Sequence, residues 1–156
     1  MSQYLAQLNV GVFRYPVDDP RMAGFMDNLD LVNAIAERSD GFVWRLKDES
    51  NNATSIRLSE HDDRTAVNMS VWRDAESLEH FVWNTVHKQF YRKREEWFSL
   101  MDRQHFVMWW IDEGDIPTLE EAKARLDHLR DNDDSDFAFG WAHLPHVKLW
   151  QQARCA

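Results

Sequence analysis

Hydrophobic and polar positions along the chain recur with two periods, and each period marks its own kind of element. Over residues 4–15, YLAQLNVGVFRY, Ala6, Leu8, Val10 and Val12 fall on one side while Gln7, Asn9 and Gly11 fall on the other. A period of two belongs to a strand, whose successive side chains point to opposite faces. The polar partners are short and uncharged, unlike the Lys, Glu or Thr of an ordinary solvent face. This side is therefore expected to look into a semi-buried space. Asp19 and Pro20 then offer an N-cap and a first-turn residue. Met22, Phe25, Met26, Leu29, Val32 and Ala36 follow at helical spacing and predict a helix to about Ser39, ended by Gly41. Residues 42–47 read as a second strand, 48–54 as an Asn-rich turn, 55–58 as a short strand and 59–64 as another turn.

Alternation returns over residues 65–72, TAVNMSVW, where Val67, Met69 and Val71 oppose Asn68, Ser70 and Trp72. Asp74 caps a helix expected from Ala75 to about Leu100, with a break near Thr85. Residues 105–112, HFVMWWID, form a strand apolar enough for burial on both faces. Thr118 and Glu121 make a capping box for a last helix with the stripe Leu119, Ala122, Leu126 and Leu129. Residues 131–136 are a loop, and the tail is a strand or a packed arm. The order is strand–helix–strand twice, then an appended helix. Two such units interleave into an α+β, ferredoxin-like antiparallel sheet with helices on one face. The uncovered face, in a chain with eight tryptophans, is expected to be closed by a second copy, giving a homodimeric barrel. The domain is expected over residues 1–139, followed by a C-terminal tail at 140–156.

Composition narrows the function classes. The chain has 156 residues, 44% of them hydrophobic, which suits one domain with a real core. Its many aromatic rings serve that core and can also wall a pocket for an apolar ligand. A net charge of −9 opposes nucleic acid, and the one dense basic cluster, Arg92 to Arg94, runs directly into Glu95 and Glu96. No apolar run approaches the roughly 20 residues of a membrane span. The single cysteine, Cys155, forms no internal disulfide, and nothing at the start resembles a signal peptide, so a cytoplasmic protein is expected.

The segment SVWRDAESLEHFVWNTVHKQF, residues 70–90, resembles the corresponding part of the dimeric α+β barrel proteins, the antibiotic biosynthesis monooxygenase-like superfamily. With YLAQLNVG, DDPRMAGFMDNLDLVNAIAERSDGFVWRL, HKQFYRKREEWF, MWW and IPTLEEAKARL, the chain is similar over residues 4–139 to an uncharacterised bacterial family within that superfamily. The resemblance implies the fold and the homodimer. It does not select an activity, because the superfamily includes cofactor-independent oxygenases, haem enzymes, decarboxylases and isomerases.

Two sets of residues carry candidate chemistry. His80 and His87 are seven apart, about two helical turns, too far to share a metal ion. His87 alone, with Trp83 on its helical face, is a candidate general base; the alternative is a histidine bonded to backbone or carboxylate that holds the helix break. Gln7, Asn9, Asn68 and Ser70 are the second set: semi-buried polar groups that need partners and can orient a carbonyl or phenol, with Trp44, Trp72, Trp83 and Trp109 as walls. Their alternative role is a polar network at a dimer seam. Three functions follow: an oxygenase-like enzyme on a small aromatic or apolar molecule, a non-enzymatic binder of such a molecule, and a haem-dependent enzyme with His87 as ligand. No other cofactor is expected. The loop 131–136 lacks the glycine and distant glutamate of a calcium site, and no phosphate loop or nucleophile elbow is present.

Overall fold

The computed structural model describes residues 3–16, 18–47, 65–84, 93–99, 104–144 and 146; the short strand expected at 55–58 and the turns beside it lie outside them. Strands β1 (Gln3–Phe13), β2 (Phe42–Arg45), β3 (Thr65–Trp72), β4 (Phe98–Ser99) and β5 (Phe106–Asp112) form one antiparallel sheet. The described α-helices are α1 (Ala23–Arg38), α2 (Ala75–Asn84), the single turn α3 (Arg94–Trp97) and α4 (Leu119–Asn132), with 3-10 turns at Pro20–Met22 and Trp141–His143. β1 is central. β3 pairs along one side of it, while β5 and then β4 pair along the other. β2 lies outside β3. The resulting order, β2-β3-β1-β5, is that of a ferredoxin-like α+β fold, as the alternation predicts.

The caps act where the sequence places them. The Asp19 carboxylate accepts from the Arg21 amide at 2.9 Å, and Pro20 opens a 3-10 turn that leads into α1. Asp74 accepts the Ser77 amide at 2.8 Å and the Ser77 hydroxyl at 2.6 Å. Thr118 Oγ1 accepts the Glu121 amide at 3.1 Å. Gly41 follows α1 with φ +86°, a left-handed conformation that disfavours other residues, and a Cβ there would collide with the Ser77 side chain at the start of α2. This one position both turns the chain and lets two elements approach.

Two expectations change. Phe98–Ser99, expected inside the helical stretch that follows Ala75, form β4 against Val12 and Phe13; the break expected near Thr85 falls on residues outside the described ones. The Phe98 ring lies over Gly11, where an added Cβ would come within 2.7 Å of it. A helical run of side chains does not reveal such a partner, and tertiary packing overrides local preference.

The second change concerns which faces are covered. On one face Ala6, Leu8, Val10, Val67, Met69, Val71, Val107, Trp109 and Ile111 pack with Ala122, Leu126 and Leu129 of α4, and all are buried. On the other, Leu5, Trp72 and Met108 pack with α1 through Val32 and Ala36, and with α2 through Ala75, Leu78 and Phe81. The helices of the two strand–helix–strand units share one face as expected. The appended helix takes the opposite one, so the apolar face expected to need a second copy is buried within a single chain.

Just before the tail the chain extends the sheet: Phe139 exchanges backbone hydrogen bonds of 3.0 and 2.8 Å with Met108. A 3-10 turn, Trp141–His143, then packs on the α2 side.

Leu126→Ala is expected to cost about 2–5 kcal/mol in urea unfolding, through lost burial and a cavity under α4. Leu31→Ala, on the exposed side of α1, is expected to change stability by less than about 0.5 kcal/mol. Gly41→Ala is expected to destabilise by more than the roughly 1 kcal/mol of conformational strain, because Ser77 must also move.

Candidate functional site

The pairing registers set the side chains of the α1/α2 face in rows. The first row is aromatic and apolar: Phe42, Trp72, Leu5 and Trp110. The second is Arg45, Ser70, Gln7 and Met108, and the third is Asn68, Asn9 and Phe106. Beyond them Gly11 and Ala66 lead to a further apolar cluster of Phe13, Met22 and Trp97, flanked by Phe25, Met26 and Phe98. Two polar rows thus lie between two apolar clusters.

One network runs through these rows. Trp72 Nε1 donates to Ser70 Oγ at 2.9 Å. Gln7 Nε2 donates to the same oxygen at 2.8 Å and to Asn68 Oδ1 at 2.8 Å. Gln7 thereby uses both amide protons, and the Asn68 side chain is oriented by the one its oxygen accepts. The Asn68 amide nitrogen is left to donate on its own account. Gln7 and Ser70 are buried, Asn9 is half-buried and Asn68 is exposed, so the network runs from a dry interior to a wet opening. Buried Arg45 ends the second row on β2, with its Nε donating to Glu37 of α1 at 2.8 Å.

Aromatic rings border the strip. Trp72 stacks on Phe81 at 5.2 Å and meets Phe42 edge-on at 5.5 Å. Beside Asn9, Phe106 stacks on Trp141 at 5.4 Å and 14°, and Trp141 lies 6.4 Å from Trp83 of α2.

The structure therefore brings together Gln7, Asn9, Asn68, Ser70 and Trp72, with Trp83 joined to them through Trp141. It separates Trp109 and Trp44 from them. Trp109 is fully buried under α4, with the Arg125 guanidinium 5.8 Å from its ring centre, and it is Trp110 that shares the face of Trp72. Trp44 reaches the α4 face through a bulge: Phe42 opposes Trp72, yet Trp44 opposes Val71, a one-residue slip that turns it over. His87 lies outside the described residues. Arg45, Phe106 and Trp141 were not read from the sequence. Counting the register would have found Phe106, but no local signal marks the other two.

Electrostatics bear on the frame. Burial alone would raise the Asp74 carboxyl, but the Ser77 hydroxyl and amide and the Arg73 guanidinium outweigh it and hold it below its ordinary range. The Arg21 guanidinium and amide lower Asp19 to about 2. Among the described residues no group of three or more His, Cys, Asp or Glu could hold a metal ion, and no helix is long and apolar enough to cross a membrane.

Fold and strip together define the class: a ferredoxin-like α+β protein with a row of side-chain amides on its helix-covered face. The chain belongs to the family described as a domain of unknown function (DUF3291), whose model matches residues 4–155 and so runs through the tail. No curated protein matches it. Among solved structures it is similar to NE2512, a protein of unknown function from Nitrosomonas europaea, with 12% identity, TM-score 0.48, and coverage of 74% of this chain and 96% of that one. It is also similar to PA3566 from Pseudomonas aeruginosa, with 18% identity, TM-score 0.46, and coverage of 71% and 94%.

A lowered folded pKa stabilises above the unfolded value and loses that contribution as pH falls through the folded one. Asp74→Ala is therefore expected to cost about 1 kcal/mol at neutral pH, measured by denaturant midpoints. That cost should shrink below about pH 4, as the wild-type carboxylate takes up its proton.

Proposed function

We propose that Asn9, Asn68 and Phe106 form the floor of a site for a small aromatic molecule carrying an acceptor oxygen, a carbonyl or a phenolate. The observation that supports this most directly is the Gln7–Asn68 bond. It orients the Asn68 side chain through its oxygen and leaves the N–H donors at the opening of the strip, between two apolar clusters that suit a ring. A homodimer belongs to the same reading. Asn68 is exposed in one chain, and a second subunit over the strip excludes water and strengthens each polar contact.

Oxygenase-like turnover is the second reading, favoured by the resemblance to the dimeric α+β barrel superfamily and by the donor itself. His87 takes a proton from the substrate, and the amide N–H groups hold the resulting anion while it reacts with dioxygen. For an anthrone, the methylene becomes a carbonyl, with one oxygen atom entering the product and the other leaving as water. The described side chains along the strip are amides, a hydroxyl, an arginine and aromatics. The Met108 thioether stands in the same row, and His87, the expected haem ligand, lies outside the described residues; no step is routed through a haem.

Dithranol, an anthrone, is the probe. Without oxygen it is expected to quench tryptophan fluorescence, and Asn68→Ala to weaken the affinity about three- to tenfold, the worth of one hydrogen bond. Trp109→Phe, on the opposite face, should leave the affinity unchanged. With oxygen, consumption of dithranol that His87→Ala abolishes supports the enzyme, and quenching without consumption supports a binder. A Soret band in purified protein would single out the haem-dependent alternative. Absence of quenching, or full affinity in Asn68→Ala, contradicts the site.

A further inference from the structure

We propose that Trp141 is a ligand-contacting, selectivity-determining residue of the strip, carried on a strap of chain that swings after Phe139 to admit the ligand. The inference rests on the site proposed above and adds to it the size of ligand and the element that closes on it.

Size follows from the register. Asn68, Asn9 and Phe106 stand side by side on β3, β1 and β5. Two strand spacings separate the Asn68 donor from Phe106, about 10 Å. A ligand whose oxygen accepts from Asn68 and whose plane extends over Asn9 meets Phe106 and Trp141 only if it is two or three fused rings long. A single ring stops short of them. Trp141 lies nearly parallel to Phe106, so the pair presents a flat aromatic end wall, and Trp83 backs it from α2.

Attachment changes character at Phe139. That residue is fully buried and held by two backbone bonds to Met108. Past it, the described backbone bonds stay within the strap: His143 N to Gly140 O at 3.1 Å, and Leu144 N to Trp141 O at 3.0 Å. The strap is thus a turn complete in itself. Side chains dock it: the Trp141–Phe106 stack, buried Leu144, the His143 ring stacked on Phe139 at 4.9 Å, the Asp134 carboxylate on the Gly140 amide at 3.0 Å, His143 to Asp136 at 3.4 Å and His146 to Glu76 at 3.3 Å. Both histidine pairs are at the surface, where such contacts contribute little. Moving the strap therefore leaves every described ladder of the sheet intact and parts Trp141 from Phe106, opening that end of the strip.

Two measurements test this. In the unliganded protein, the His143 and Leu144 amides are expected to exchange with deuterium more than about tenfold faster than those of Met108 and Phe139, as local opening without sheet opening requires. In binding, Trp141→Ala is expected to weaken dithranol about three- to tenfold, the loss of an aromatic contact, whereas Trp141→Phe stays within about twofold of wild type. Melting temperatures within a few degrees of wild type are expected for both variants and check that a lost affinity is not lost folding. Equal protection of Leu144 and Phe139 overturns the strap, and wild-type affinity in Trp141→Ala overturns the contact. If wild-type protein fails to bind dithranol, the strip reading falls and the role of Trp141 with it, while exchange still decides whether the strap opens.

Discussion

Alternation along β1 is the constraint on which the rest of the structure depends. β1 is the central strand, paired on both sides, and each of its residues fixes the face of its neighbours on β3 and β5. With Leu8 pointing to α4, Gln7 and Asn9 point to α1 and α2, and Ser70, Asn68, Met108 and Phe106 must join them. A slip of one residue would place Gln7 and Asn9 beneath the apolar stripe of α4 and turn Ala6, Leu8 and Val10 to the amide side. The cost of stranding two amides there excludes that register.

The same constraint explains why the polar strip persists inside an apolar molecule. Gln7 and Ser70 are buried, but each has a partner on the next strand, and the Trp72 indole is satisfied by Ser70. The network closes toward the interior and stays open at Asn68. Such an arrangement sets the direction of a donor at the surface without leaving an unpaired group in the core. The apolar clusters at either end hold the strip in place: Trp72 with Phe81 and Phe42 at one end, and Phe13 with Phe98 and Phe25 at the other.

Much of this was legible in the sequence, because it follows from period and capping. The alternation at 4–15 and 65–72, the stripe of α1 and the N-cap at Thr118 each appear where their patterns put them, and they carry the ferredoxin-like order, while the Glu121 carboxylate of the expected capping box bonds Arg125. What was not legible depends on partners distant in the chain. Gly11 reads as one more small polar-face residue until the Phe98 ring is seen above it. Trp44 reads as a wall of the strip until the bulge in β2 turns it to the other face. The stripe of α4 was visible, but not the face it covers, and that face decides whether one chain or two bury the sheet. Arg45 and Trp141 sit in segments too short to show a period, so only their contacts reveal them.

The central claim is that a ligand reaches the amide side of the sheet and not the α4 side. Side-chain N–H resonances of labelled protein report this directly as dithranol is added without oxygen. The account predicts shifts in the Asn68 and Asn9 amide pairs and in the Trp141 indole, with the Trp109 and Trp44 indoles unmoved. Shifts confined to Trp109 and Trp44, with Asn68 and Asn9 unchanged, would contradict it.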